Sequence, residues 1–301
     1  MRLAVAAVAA AAAVAASSAH AGVRTLAFTY GTSAGVPATA YLVLPSWYGP
    51  RRHPAIPFVI SPHGRGVSGR YNLRFWGAIA DRGPFAVVSP NGHGRKLPFY
   101  SWGWRGQIDD LARMPQLARA AFPWLRIDER RIYAIGDSMG AQEVLLLAAR
   151  RGSKLAGVAA FDPVSDMAAR YSAWSVTPGE QQLPAVARNE FGGAPASAPA
   201  AYAARSPIDF VGPIARSRIP IQLWWSRRDA VITDQGIQSE RFYERLVTLG
   251  ARVRRVVGDW EHGHAMHPET HLPAALACFG LIPAKGIRVP FVESAFCSRR
   301  V

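Results

Sequence analysis

The stretch Gly136-Asp137-Ser138-Met139-Gly140 has the residue types of a catalytic serine turn. A β-branched and aromatic run, Arg131–Ile135, precedes it, and an alanine- and leucine-rich run, Ala141–Arg151, follows at once. A serine on a sharp strand-to-helix turn, flanked by glycines that leave room for the neighbouring backbone, is typical of a nucleophile elbow. The helix behind Ser138 would point its N–H groups and positive dipole end at a reacting carbonyl. We therefore predict that Ser138 is a nucleophile, the alternative being a tight structural turn.

A nucleophilic serine needs an acid and a base, and behind such an elbow they follow along the chain in that order. Asp229 comes just after the apolar run Ile219–Trp225. Functional groups collect at the carboxyl ends of the strands of an open α/β sheet. We predict Asp229 as the acid, with capping of the next helix as its structural alternative. Asp162 and Asp166, after the preceding strand, are the other candidate acids.

The base must come from the loop Trp260–His267, which follows the last predicted strand. We choose His264, because Gly263 before it would let the loop backbone pass close to the elbow. His262 is the alternative base. His267 is better explained as a residue at the start of a helix.

The donors for a developing oxyanion are predicted in two places. The N–H of Met139 directly follows the nucleophile, and the second donor should come from the loop Pro62–Gly66, after the apolar run Ala55–Ser61. We assign it to the backbone N–H of Arg65, with Gly64 as the alternative.

Two tryptophans, Trp102 and Trp104, lie in an aromatic loop predicted at the same edge of the sheet. They are candidates for lining a substrate pocket. Packing in the core or under a cap is the alternative explanation.

Strands and helices alternate along the chain, which predicts an α/β fold with a mostly parallel central sheet and helices on both faces. We expect one domain over residues 22–301, with residues 162–205 as a cap or insertion above the site. The predicted strands are Arg24–Tyr30, Thr39–Leu44, Ala55–Ser61, Phe85–Ser89, Arg131–Ile135, Leu155–Phe161, Ile219–Trp225 and Arg252–Val257. The predicted helices are Leu73–Asp81, Ile108–Phe122, Ala141–Arg151, Gln235–Leu249 and Leu272–Phe279.

The first residues are typical of a secretory signal peptide: Arg2, an Ala/Val-rich run and an Ala-x-Ala ending at Ala21. We expect cleavage after Ala21 and a secreted or periplasmic protein, with an uncleaved anchor as the alternative. No later segment is apolar enough to predict a membrane span. Cys278 and Cys297 are the two cysteines, and for an exported chain we predict that they form a disulfide. Two buried thiols are the alternative.

The charge is strongly positive, with 35 Lys and Arg against 20 Asp and Glu, a formal net charge of +15. The cations are scattered as arginine pairs and no nucleic-acid-binding motif accompanies them, so we expect no nucleic-acid partner. The charge bears on association and solubility, not on the fold.

Several stretches resemble known hydrolases. They are Asp128–Ile132 with Gly136–Gly140, Arg205–Asp209, Ile214–Ile221 with Asp229–Val231, and Gln238–Glu244. On these residues the chain resembles an α/β-hydrolase and, within that fold, the catalytic domain of the prolyl-oligopeptidase family. The Asp-x-x-Arg-Ile lead-in is also similar to that of secreted polyester depolymerase-like and feruloyl-esterase-like hydrolases.

The resemblance implies the α/β-hydrolase fold and an acyl-enzyme mechanism with Ser138, Asp229 and His264. No propeller domain precedes the catalytic region, which favours ester over short-peptide hydrolysis. We expect a small or polymeric ester, or a short peptide, as substrate, and no cofactor. The oligomeric state is left undetermined.

Two alternatives belong to other functional classes. One is a metal site built from the histidines of the last loop with Glu261, namely His262, His264, His267 and His271. The other is a hydrolase-fold binding protein without activity.

Overall fold

A central sheet runs through the computed structural model, which describes residues 18–20 and 23–287. Within those residues the sheet has nine strands, and eight of them overlap the eight predicted strands. The strands are β1 (Ser18–His20), β2 (Val23–Gly31), β3 (Pro37–Pro45), β4 (Ile56–Ile60), β5 (Ala86–Pro90), β6 (Ile127–Asp137), β7 (Gly157–Phe161), β8 (Ile221–Ser226) and β9 (Val253–Gly258).

The strand order is β1-β2-β3-β5-β4-β6-β7-β8-β9. Strands β4 to β9 pair in parallel, whereas β1, β2 and β3 add an antiparallel edge. β4, β5, β7 and β8 are buried along their whole lengths, as expected for parallel strands covered on both faces. The prediction of a mostly parallel α/β sheet is confirmed.

Helices cover both faces of the sheet, because each parallel connection must cross over. They are α1 (Gly69–Asn72), α2 (Arg105–Ala121), α3 (Met139–Arg151), α4 (Met167–Trp174), α5 (Leu183–Phe191), α6 (Pro199–Ala203), α7 (Val211–Ser217), α8 (Arg241–Thr248) and α9 (Leu272–Cys278). Helices α2, α3, α7 and α8 bury their apolar sides against one face. Helix α9 and residues 73–82 cover the other.

The predicted helix Leu73–Asp81 is wrong in type. The structure has two short 3₁₀ helices instead, Leu73–Phe75 and Ile79–Arg82. Gly77 between them has φ +42°, which lies outside the helical region. Trp76 is buried there and donates from Nε1 to the Ser61 hydroxyl at 2.9 Å. This contact packs the segment against the sheet without a regular helix.

The predicted helix Gln235–Leu249 is also divided. It begins as one π-helical turn, Gly236–Glu240, and continues as α8. Gln238 in that turn accepts hydrogen bonds from the backbone N–H groups of Ser165 and Asp166, both at 2.8 Å. The wider turn thus attaches the start of this helix to the loop after β7, and such turns occur often at functional sites.

Residues 162–205, here named the cap segment, contain α4, α5 and α6. Their buried side chains form a third apolar cluster, which includes Trp174 and Phe191 together with Trp102 and Met139 of the main body. Trp102 contacts Trp174 and Phe191, with ring centroids 5.3 and 5.7 Å apart. The cap segment is therefore packed directly over the end of β6.

Two predictions fall on residues that the structure does not describe. Ala21, the expected cleavage point, and Cys297, one half of the expected disulfide, both lie outside the described residues. Both remain predictions. Among the described residues, no helix is long and apolar enough to cross a bilayer.

Candidate active site

Ser138 stands between β6 and α3 with φ 57° and ψ −122°, a backbone conformation that a residue other than glycine rarely adopts. A Cβ on Gly136 would lie 2.6 Å from the backbone of Gly140, and one on Gly140 would lie 2.4 Å from the carbonyl oxygen of Pro62. The Ser138 N–H donates to the Phe161 carbonyl of β7 at 2.9 Å. The turn therefore has the strain and the close backbone approach of a nucleophile elbow.

Asp229 and His262 form the closest acid–histidine pair at this edge. Asp229 follows β8, His262 follows β9, and the two are joined by a hydrogen bond of 2.8 Å between Nδ1 and Oδ2. Asp229 also accepts from the N–H groups of Val231 and Ile232, both at 2.8 Å, and from Gln235 Nε2 at 2.9 Å. The carboxylate is fixed by four donors, so its oxygen accepts the Nδ1 proton of the ring.

These bonds oppose the effect of burial. Burial alone would raise the pKa of Asp229, but the hydrogen bonds from His262, Ile232 and Val231 lower it below its ordinary value. Burial also disfavours a charged ring, yet the hydrogen bond that the ring donates to Asp229 and the charge of Asp137 raise the pKa of His262 to about 9. A carboxylate that stays ionised and stabilises an imidazolium is what a serine hydrolase needs from its acid.

The choice of His264 as the partner of Asp229 is wrong. His264 is exposed, begins a short 3₁₀ helix and stacks on His267 with ring centroids 5.4 Å apart. Gly263, between the two histidines, has φ +75°, so the chain turns there. The expectation about Gly263 itself holds, because a Cβ there would lie 3.0 Å from Asp137 Oδ2. The loop does pass close to the elbow, with His262 directed to Asp229.

Two further buried carboxyls lie around His262. Asp162, at the end of β7, accepts from the N–H groups of Ser226 (3.1 Å) and Gly263 (3.0 Å) and from Trp260 Nε1 (3.4 Å). Burial raises the pKa of Asp162 to about 7, and it raises that of Asp137 to about 6. The sequence marked Asp162 only as a substitute acid. The structure makes it the residue that holds the His262 loop.

Asp166, the other substitute acid, has a different place. It is the N-cap of α4 and accepts from Ala168 and Ala169 at 3.1 and 3.0 Å. Gln235 donates from Nε2 to Oδ2 of Asp229, the oxygen that also accepts from His262. The sequence did not single it out, because a glutamine in a helical run carries no local signal of its partner.

The Ser138 hydroxyl has no hydrogen-bond partner among residues 23–287, so it is not bonded to His262. Asp137 directly precedes Ser138, and its charge acts on the His262 ring. In structures without substrate such bonds are often long and tighten on binding.

Of the two residues predicted to supply oxyanion donors, Met139 is the first residue of α3 and Arg65 lies in the loop after β4. Within the described part of the chain, the backbone N–H groups of Met139 and Arg65 have no hydrogen-bond acceptor. His63 accepts from the Gly92 N–H at Nε2 (2.8 Å), so its Nδ1 carries the proton and donates to the Gly64 carbonyl at 2.7 Å. Since the peptide is planar and trans, this bond turns the Arg65 N–H to the opposite side.

The Arg65 side chain reaches the cap segment. It pairs with Glu180, which also pairs with Arg170, and Arg170 in turn lies 3.4 Å from Asp234. Arg170 is fully buried and also donates to the Val231 carbonyl. This charge network ties the Arg65 loop, the cap segment and the Asp229 loop together.

The two candidate pocket tryptophans differ. Trp102 is buried and lines a small cavity beside Ser138. Trp104 does not line it: the ring folds over Gly106 at the start of α2, where a Cβ on Gly106 would lie 2.3 Å away. Trp104 therefore lies outside the small cavity that Ser138 and Trp102 line.

The four histidines of the alternative metal site are not brought together. His271 stacks on Trp224, and His267 contacts Phe75 and Glu269. In the described chain, the group with metal-ligand spacing is Asp162, Asp229 and His262, whose ligand atoms lie within 4.8 Å of one another. The Nδ1 atom of His262 already donates its proton to Asp229, so the arrangement is that of an acid–base pair.

No family model and no curated protein sequence matches the chain. An acylaminoacyl peptidase from Pyrococcus horikoshii has a similar structure, with a TM-score of 0.63 and 17% identity over 81% of this chain and 38% of the peptidase. A fungal esterase from Rhizomucor miehei gives 0.64 and 16% over 87% of this chain and 85% of the esterase.

An S-formylglutathione hydrolase from Agrobacterium tumefaciens gives a TM-score of 0.60 and 14% identity, over 83% of this chain and 92% of that hydrolase. This chain thus spans about two fifths of the peptidase but most of the esterase and of the glutathione hydrolase. With its parallel sheet, its elbow after β6 and these structural relatives, the chain has the α/β-hydrolase fold that the sequence predicted.

Proposed function

We propose that this protein is a secreted or periplasmic serine hydrolase that cleaves carboxylic esters through an acyl-enzyme intermediate. The nucleophile is Ser138, the base is His262 and the acid is Asp229. The observation that carries the proposal is the 2.8 Å bond between Asp229 and His262 at the sheet edge where the Ser138 elbow stands.

The mechanism follows from these groups. The Ser138 hydroxyl adds to the ester carbonyl and gives its proton to Nε2 of His262, while Asp229 stabilises the imidazolium through Nδ1. The N–H groups of Met139 and Arg65 bind the oxyanion. His262 then protonates the leaving alcohol, and a water activated by the same ring hydrolyses the acyl-enzyme.

Esters are favoured over peptides by the comparisons and by chemistry. The esterase neighbour matches this chain over 85% of its own length, whereas the peptidase neighbour matches over 38%. An alkoxide also leaves with less proton assistance than an amine does.

The test is covalent labelling with a fluorophosphonate, followed by turnover of p-nitrophenyl esters and peptide anilides. We expect labelling and ester turnover in the wild type, and loss of both in Ser138→Ala. A Ser138→Ala protein within about 10-fold of wild-type activity would refute the assignment. A higher kcat/KM on the anilides would make the enzyme a peptidase with the same mechanism. Sensitivity to a chelator together with absent labelling would favour the metal site.

Export is proposed from the sequence alone. N-terminal sequencing of the protein recovered outside the cytoplasm should begin at Gly22, and non-reducing mass analysis should show Cys278 linked to Cys297. A retained Met1 or two thiols would contradict these two proposals.

A further inference from the structure

One edge of the central sheet is strongly positive. It is the edge at which the parallel strands β4 to β9 begin, and Ser138, Asp229 and His262 stand at the opposite edge, where the strands end. Six segments lead into these strands or begin them. They are residues 46–55, 79–85, 122–131, 151–156, 215–220 and 249–252, here named together the basic edge.

The charge balance differs between the two edges. The basic edge contains eleven Lys or Arg and three Asp or Glu, an excess of eight cations. Five Lys or Arg and seven Asp or Glu occur in the segments that follow β4, β5, β7, β8 and β9, which are residues 61–68, 91–104, 162–166, 227–235 and 259–271. The arginine pairs that are scattered along the sequence are therefore gathered by the fold, and more than half of the net charge of +15 lies at the basic edge.

The cations in the middle of the sheet are exposed. Arg51 and Arg52 precede β4, and Arg126 and Arg130 stand at the start of β6. The Ile56 N–H donates to the Arg126 carbonyl at 3.1 Å, so the two segments are in contact. They form one continuous surface.

This surface continues across the next three strands, each of which is preceded by exposed cations. These are Arg151, Lys154, Arg216, Arg218 and Arg252. A Cβ on Gly152 would lie 2.4 Å from the Cβ of Ser217, so the segments before β7 and β8 touch. The Ile221 N–H donates to the Arg252 carbonyl at 2.8 Å, which joins the segments before β8 and β9. Because neighbouring strands lie about 4.8 Å apart, the basic edge is roughly 25 Å long.

The three acids of the basic edge have other partners. Asp81 accepts from the Ser46 N–H at 2.9 Å, and Asp128 accepts from the backbone N–H of Arg130 at 3.0 Å. Glu129 forms an ion pair at 2.5 Å with Arg119, which belongs to α2. The positive charge at the strand ends is therefore left largely uncompensated.

Helix ends account for only part of the excess. Helices α2, α3, α7 and α8 end at this edge, and cations in a last turn stabilise a helix C-terminus. Each end carries about half a negative charge, so four ends offset about two charges, against an excess of eight. Arg51 and Arg52 lie between two strands, where no helix ends. A partner outside the chain explains the remainder better than the helices do.

The chemistry of the basic edge favours a polymer of carboxylates as that partner. All but one of its eleven cations are arginine, whose planar guanidinium forms two parallel hydrogen bonds with a carboxylate. Among the described residues, Leu249 is the one exposed large apolar side chain of these six segments. Attachment to a lipid surface uses a broad apolar face, and single-stranded nucleic acid stacks on exposed aromatic rings.

We propose that the basic edge binds a linear acidic polysaccharide, a polymer with a carboxylate on each sugar, which lies across the strand ends from β4 to β9. Binding relieves the repulsion among the arginines and releases counterions from the polymer. Because the catalytic residues stand at the opposite ends of the strands, the polymer holds the protein and leaves the site uncovered. The proposal goes beyond the ester chemistry and does not depend on it.

Titration calorimetry of the full chain with polygalacturonate tests the binding. We expect binding at about 50 mM NaCl that weakens by about 10³-fold at about 200 mM, as for a partner held by six or more ionic contacts. Dextran, a neutral polysaccharide, is the control ligand and should not bind. No binding of polygalacturonate at the lower salt concentration would overturn the proposal.

Paired substitutions test the surface. Arg151→Gln with Lys154→Gln should lower the affinity by about 10-fold and reduce the slope of log K against log salt by about one to two. The matched control is Arg70→Gln with Lys96→Gln, which removes one arginine and one lysine that are exposed outside the basic edge. Its affinity should stay within about threefold of wild type. Circular dichroism verifies that the variants fold. Equal losses in the two pairs would mean that the net charge alone attracts the polymer, and would overturn the proposal.

Competing ligands test the class of partner. Anionic phosphatidylglycerol vesicles and a single-stranded oligonucleotide, compared at equal charge concentration, should bind more weakly than polygalacturonate. Tighter binding of either would overturn the polysaccharide assignment in favour of a membrane or a nucleic acid. None of these measurements uses catalysis. Absent labelling and absent ester turnover would therefore refute the hydrolase alone, whereas absent polymer binding would refute this proposal alone.

Discussion

The loops after β7 and β8 each place a buried aspartate next to His262, yet the two carboxyls differ in ionisation. Hydrogen bonds from His262 and from the backbone lower the pKa of Asp229, whereas burial raises the pKa of Asp162 to about 7. Strands β7 and β8 are adjacent and parallel, so the position of each residue at the sheet edge does not explain the difference in pKa.

The difference lies in what each carboxyl holds. Asp229 accepts from the ring itself, with two backbone N–H groups and Gln235 holding its oxygens. Asp162 accepts from Gly263 and Trp260, which flank His262 along the chain. The charges of Asp137 and Asp229 also act on it. Asp229 holds the His262 ring, and Asp162 holds the loop that carries it.

The largest effect is expected at the ring that both acids face. His262→Ala should lower kcat by about 10⁵- to 10⁶-fold, because the serine and its base act as a unit. His264→Ala is the control, two residues along in the same loop, and should stay within about threefold of wild type. Steady-state kinetics on a p-nitrophenyl ester measures both. The reverse outcome would restore His264 as the base.

Asp229→Asn should lower kcat by about 10⁴-fold, because an amide in place of Oδ2 favours the wrong ring tautomer. Asp166→Asn is the matched control, since Asp166 caps α4 and asparagine can still cap it. Its kcat should remain near that of the wild type. If kcat falls no further in Asp229→Asn than in Asp162→Asn, the two aspartates do not have the different roles described above.

Asp162→Asn should act through the pH profile, with a loss of kcat of about 10-fold from the weakened Gly263 contact. Activity requires a neutral ring, so kcat/KM should rise with pH through the raised pKa of His262. Removing the Asp162 charge should move this rise to lower pH, by roughly one unit. If the midpoint of the pH profile does not move, the charge of Asp162 does not influence the pKa of His262.

Asp137→Asn should also move the rise in kcat/KM to lower pH, since the charge of Asp137 raises the pKa of His262 too, and its smallest effect should be on stability. Burial raises the pKa of Asp137 to about 6, so the stability that its proton provides is complete below the unfolded pKa and is lost as the pH rises through 6. The free energy of unfolding of the variant, relative to that of the wild type, should therefore increase by about 1–3 kcal/mol from pH 5 to pH 8. Urea unfolding at both pH values measures this. A constant difference would show that Asp137 titrates normally.

Local sequence determined much of this protein. The fully apolar strands and the Gly136-x-Ser138-x-Gly140 turn depend on sterics and burial within a few residues, and both are found where they were predicted. Asp229 could be chosen because the end of an apolar strand is visible in the sequence. The 3₁₀ segments at 73–82 were missed because Gly77 and the Ser61 contact of Trp76 override the local helical pattern.

Which histidine pairs with Asp229 was decided by tertiary structure. His262 and His264 stand in the same loop with nothing local to rank them, and the turn at Gly263 directs only one toward Asp229. The same holds for Trp102 and Trp104: the ring of Trp102 contacts the cap segment, whereas the ring of Trp104 lies over Gly106. A sequence sets which groups can do chemistry and where strands end. Packing between segments distant along the chain sets which of them meet, since that depends on contacts that no local pattern contains.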